Sequence, residues 1–135
     1  MLDIYTADEN IQGFPVVCIR VKDPSEEKIT PEVEAKVRAD WEAAYDAHDK
    51  FWFLVDIRDV PMVGAFSVVP KVVAILKSFR ERSAVQVITT GLILTSVAEP
   101  LVKAVTALYP PQRPILTGPT PEQVWVKLMN EPVER

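Results

Sequence analysis

A single cysteine, a single histidine and four isolated glycines bound the chemistry open to this chain. Cys18 has no partner for an internal disulfide, so a reducing, cytoplasmic setting is expected. It sits in the apolar run Phe14-Pro15-Val16-Val17-Cys18-Ile19 and reads as a small buried hydrophobe. Cys18 and His48 do not make a cluster of metal ligands, so neither a metal nor another cofactor is expected. Gly13, Gly64, Gly91 and Gly118 stand singly, and no phosphate loop or dinucleotide fingerprint can be built from them. No apolar run approaches the roughly 20 residues that span a bilayer. Met1-Leu2-Asp3-Ile4 shows no basic region ahead of an apolar core, so no leader peptide is expected. A basic excess is also missing: the net charge is −4, against the usual balance of a nucleic-acid binder. Lys71, Lys77, Arg80 and Arg82 read as the solvated side of a helix.

What is present fits one domain over residues 1–135, with 48% apolar and 25% charged residues. A chain of this size buries enough surface to fold without a disulfide or a metal. Charge is unevenly spread. Residues 1–49 hold 12 acidic and 5 basic side chains, a net of −7; residues 50–135 hold 7 and 10, a net of +3. Two solvated faces of opposite sign account for this, and charge-complementary docking is the sharper alternative.

Leu2 to Thr6 alternates as a short strand, and Phe14 to Lys22 is a second, β-branched one; the simplest link between them is an antiparallel hairpin. Thr30-Pro31-Glu32 opens a helix with a cap, a first-turn proline and acidic residues at its positive end. Its inward stripe is Val33, Val37, Trp41, Ala44 and His48. Phe51 to Ile57 is nearly all apolar, as in a central strand of a parallel sheet covered on both faces. A second helix is predicted from about Ser67 to Arg82, with Val69, Val72, Val73, Leu76 and Phe79 inward and Val68 and Ile75 broadening the stripe. Val85 to Thr95 is strand-like, with Gly91 a bulge or close-approach point. Ser96-Val97-Ala98-Glu99 has capping-box spacing and opens a helix to about Tyr109. Arg113 to Thr117 is a short last strand. Thr120-Pro121-Glu122-Gln123 opens a final helix through Val124, Leu128 and Met129. The expected fold is therefore α/β: a mostly parallel five-stranded sheet with an N-terminal antiparallel hairpin and about four helices.

Candidate chemistry is sparse. Asp56 and Asp59 flank Arg58 at the carboxyl end of the central strand, where α/β proteins hold ligands. With no second catalytic component, an electrostatic or turn-forming role outranks catalysis. His48 reads as a packed or cationic group near a helix C-terminus. Pro61 to Ser67 is apolar where a surface loop should be polar, and Thr95 and Ser96 set hydroxyls at a helix start. Both segments follow strand carboxyl ends. They are either a packed loop and a helix cap, or the mouth of a pocket or docking surface formed by Asp56, Met62, Phe66, Ser67, Thr95 and Ser96.

The stretch Phe53-Leu54-Val55-Asp56-Ile57-Arg58-Asp59-Val60 resembles the central segment of STAS domains, found in anti-sigma-factor antagonists and sulfate-transporter tails. Residues 94–102, Ala107-Leu108-Tyr109-Pro110, Arg113-Pro114-Ile115 and Thr120-Pro121-Glu122-Gln123-Val124 look like the second half of the bacterial STAS-like subgroup. The ordered set over almost the whole chain carries the resemblance. It implies a non-enzymatic, regulatory interaction module that binds a protein partner or forms a homodimer, and sometimes holds a nucleotide or lipid-like ligand. The alternative is a small carrier or sensor for an apolar or anionic ligand. An enzyme using Asp56 or Asp59 ranks last. The antagonist family's phosphorylated serine follows an aspartate at the start of helix two. Here the matching stretch is Val63-Gly64-Ala65-Phe66, and Ser67, the nearest hydroxyl, lacks that aspartate.

Overall fold

The computed structural model describes residues 2–21, 30–60, 69–111 and 113–133. Five strands form one sheet in the order β1 (Leu2–Thr6), β2 (Val16–Val21), β3 (Phe51–Asp56), β4 (Val87–Ile93) and β5 (Leu116–Gly118). β1 pairs antiparallel with β2, and the remaining pairs are parallel. The hairpin turns at Gln12 and Gly13, both at positive φ, which lets Ile11 and Phe14 exchange two backbone hydrogen bonds. That turn carries Ile11 into the core at 1% exposure, a placement its polar neighbours hide in the sequence.

The helices are α1 (Pro31–Ala47), α2 (Val69–Ser78), α3 (Arg80–Gln86), α4 (Glu99–Leu108) and α5 (Pro121–Met129). Among the described residues there are five α-helices, against about four expected. The second expected helix breaks at Phe79, whose ψ of 10° caps α3 while its ring is buried. α3 runs on through Gln86, so the fourth strand begins at Val87 and not at Val85. Thr30 and Thr120 cap α1 and α5, accepting hydrogen bonds from the Val33 and Gln123 backbone N–H groups. The expected Ser96 capping box does not form. Residues Ser96–Ala98 make a 3-10 turn with no side-chain cap, and α4 starts at Glu99 with Pro100 in its first turn. The last strand is displaced from 113–117 to 116–118, because Arg113 is used otherwise: its guanidinium donates to the Val87 and Ile88 carbonyls.

β3 is buried on both faces, with Phe51 and Trp52 at 0% exposure. Trp52 and Leu54 join Val16, Cys18, Ile93, Val124 and Leu128 under α5. Phe51 and Phe53 join Val17, Ile19, Tyr45 and Phe79 on the opposite face, below α1 and α2. Leu92, Leu94 and Ala98 extend that second layer toward Val102 of α4. Right-handed crossovers made in one direction along the sheet place successive helices on the same side, which leaves the other side to α5. Tyr45 centres the larger layer. It stacks on Phe79 with ring centroids 5.1 Å apart, meets Phe51 and Phe53 edge-on, and its hydroxyl hydrogen-bonds Ser83.

One residue expected to face inward does not: Val72 is 39% exposed. It sits at the border of its apolar stripe, where the rotation of the helix against the sheet decides. Gly91 is a close-approach point and not a bulge: a Cβ there would lie 2.5 Å from Val124 Cγ1. The β3–β4 irregularity lies earlier, where Phe51 pairs with Val87 but Phe53 with Thr90, so β4 holds one extra residue.

Candidate functional site

Parallel pairing brings the carboxyl ends of β2, β3 and β4 to one edge. Arg20 stands opposite Asp56, and Asp56 opposite Ile93. Thr95 and Ser96 follow two and three residues beyond Ile93, so Asp56, Thr95 and Ser96 share that edge. Both hydroxyl residues are exposed and neither caps the turn they open. Met62, Phe66 and Ser67 lie outside the described residues.

Asp56 is tied to Arg58 at three points. Its Oδ1 accepts from the Arg58 backbone N–H and Nε, both at 3.0 Å, and its Oδ2 from Nη2 at 2.8 Å. The backbone contact is an Asx turn, which local sequence alone can form. Arg20 donates through Nε and Nη2 to Asp59 Oδ2, at 3.1 and 2.6 Å. Arg20, Asp56, Arg58 and Asp59 therefore form a four-residue cluster of zero net charge. Burial pushes the Asp56 carboxyl upward, but the hydrogen bonds and charge of Arg58 outweigh it and hold the group below its ordinary value. The same pairing raises Arg58, through its hydrogen bond to Asp56, and Arg20, through Asp59.

Arg20 is the member of this cluster that sequence reasoning missed. Nothing near it in the chain marks it. Only the β2–β3 register puts its side chain on the same face and edge as Asp56. Beside it on β1 and β2, Tyr5 pairs with Cys18. Cys18 is a buried free thiol, and burial pushes its pKa up, so it stays protonated at neutral pH.

His48 ends α1 as its C-cap. Its Nε2 lies 3.1 Å from the Thr6 hydroxyl and its ring centroid 6.0 Å from that of Phe51. It therefore ties the end of α1 to β1, beside the amino end of β3, whereas Asp56 stands at that strand's carboxyl end. Among the described residues no group of His, Cys, Asp and Glu could hold a metal ion, and no helix is long and apolar enough to cross a membrane.

No protein-family model matches this chain, and no curated protein and no solved structure matches it either.

Proposed function

We propose that this chain is a STAS-like regulatory module that binds a protein partner, a second copy of itself first among them, and performs no chemistry of its own. The observation that carries this reading is the commitment of Asp56. Both of its carboxylate oxygens engage Arg58, and Arg20 and Asp59 on the same edge engage each other. A general base needs a free lone pair within reach of a substrate proton, and this carboxylate commits three of its roughly four lone pairs to Arg58. The order of strands and helices agrees with that expected of a STAS-like domain. For self-association the favourable feature is apolar exposure on two helices that pack together. Val72 of α2 and Leu108 of α4 are 39% and 56% exposed.

Light scattering of the purified chain tests the proposal. A dimer mass that Val72→Lys converts to a monomer mass is the expected result. A monomer mass at every concentration would sink the self-association. The reading as a carrier or sensor of an apolar or anionic ligand at the carboxyl edge makes a different forecast. Native mass spectrometry of freshly purified protein would then show a retained small molecule. Turnover of any substrate that Asp56→Asn abolishes in a folded protein would overturn the non-catalytic reading.

A further inference from the structure

On one side the sheet ends at β5, which among the described residues pairs only with β4. β5 has three residues against seven in β4, and it faces only Gly91, Leu92 and Ile93. Val87 to Thr90 therefore stand opposite no residue of β5. An edge of this kind presents backbone N–H and C=O groups that invite a strand from another chain. Two cationic side chains meet the carbonyls here. Arg113 stands three residues ahead of β5, alongside the part of β4 that β5 does not cover. Its Nη1 donates to the Val87 carbonyl at 2.9 Å and to the Ile88 carbonyl as well. The extra residue in β4 turns both carbonyls toward that single donor. On β5 itself, the Gly118 carbonyl accepts from the Leu94 N–H, so Gly118 turns its backbone groups toward β4. Successive residues of a strand turn these groups to opposite sides, and Thr117 turns its own outward. Lys127 Nζ of α5 donates to the Thr117 carbonyl. The lysine reaches it because α5 lies over β5: Gln123, one turn before Lys127, is among the residues a Cβ on Gly118 would meet.

We infer that Arg113 and Lys127 seal the β4–β5 edge against strand addition by a second copy of this chain. Each acts on a different part of the edge. Arg113 takes the carbonyls of β4 that a three-residue β5 is too short to cover. Lys127 takes the outward carbonyl of β5, which an incoming N–H would otherwise accept as its ladder partner. A second copy is the strand at issue because it carries the same short β5 and meets it about a twofold axis. In the parent chain that approach brings the Lys127 ammonium of each copy to one edge, where like charges repel. An incoming strand must also displace Nζ from the Thr117 carbonyl before its own N–H can bond there. Charged side chains, lysine above all, are a known means of blunting a sheet edge. The inference rests neither on the contact through Val72 and Leu108 nor on the Asp56 cluster.

The test is made in the Val72→Lys background, so that the self-association proposed above and the edge contact are read separately. Lys127→Met and the double variant Arg113→Met/Lys127→Met are compared with that background by light scattering over a concentration series. Methionine keeps most of the apolar stem and removes the donors. Each replacement also takes a positive charge from a chain of net −4, so mutual repulsion rises and only an opened edge brings copies together. The mass of the double variant should at least double relative to the background, and that of Lys127→Met should rise with concentration. Lys127→Arg keeps a donor and a charge, and its mass should stay that of the background. Hydrogen exchange of the Thr117 amide locates the contact. It should slow about tenfold or more in the associated double variant, because that N–H also faces the edge. Lys127 is exposed on α5, so Lys127→Met keeps the fold and carries the test where Arg113→Met unfolds the chain. The inference is overturned if folded Lys127→Met keeps the background mass at every concentration, or if Lys127→Arg associates equally. Association that leaves exchange at Thr117 unchanged overturns it too.

Discussion

Gly91 of β4 lies directly beneath Val124 of α5, so close that a Cβ on Gly91 would stand 2.5 Å from Val124 Cγ1 and 3.1 Å from Leu128 Cδ1. Both partners are fully buried and cannot move aside without shifting α5. α5 is the helix that covers this face of β3, β4 and β5. Gly91→Ala is therefore expected to destabilise the fold by about 1–3 kcal/mol, the cost of overpacking a well-filled core. Urea denaturation of Gly91→Ala, Val124→Ala and the double variant checks this. The double variant should lose less than the sum of the two single losses, since each change relieves the other. Strict additivity would show that the contact does not limit packing.

Asp56 sets a pH dependence whose sign is fixed by its surroundings. Its folded pKa lies below the ordinary carboxylate value, because Arg58 outweighs burial. The stabilisation is thus complete at neutral pH and is lost as pH falls below about 4 toward the folded value. Asp56→Asn should lower stability by about 1 kcal/mol at pH 7, as for a partly exposed, charge-assisted pair. That deficit should shrink in acid, where the parent loses the same charge. A deficit constant from neutral pH to pH 3 would assign the effect to packing instead.

Cys18 should be chemically silent in the folded protein. It is 7% exposed and its thiolate is disfavoured by burial. Reaction with an aromatic disulfide reagent should be slower in the native state than in denaturant by about a hundredfold or more. Fast labelling of the native chain would mean that the β1–β2 side of the sheet opens readily.

The legible parts of the fold are those set by neighbours in the chain. Thr30-Pro31 and Thr120-Pro121 cap helices because the bonds they make reach only three residues ahead. Phe51 to Asp56 announces a doubly covered strand, because burial on both faces removes the alternation that one wet face imposes. The capping-box spacing at Ser96 misled, because Pro100 and the exit from β4 turn the backbone into a 3-10 turn before α4 starts. Tyr45, the most buried residue of α1, escaped notice because it sits one position beyond Ala44, at the edge of the expected stripe. The aromatic layer of Phe51, Phe53 and Phe79 draws it inward.

The candidate site divides along the same line. Asp56 and Arg58 are two residues apart, and their contact is an Asx turn with an ion pair, so their association is written locally. Arg20 and Asp59 are separated by 39 positions, so only the β2–β3 register brings them together.

Hydrophobic periodicity and capping chemistry by themselves determined an α/β chain with a parallel sheet and an N-terminal hairpin, since both act within a few residues. Tertiary structure alone decided which helix covers which face, which strands stand at the edges, and which charges meet. Those outcomes depend on strand register and helix rotation, where a shift of one residue sends a side chain to the opposite face.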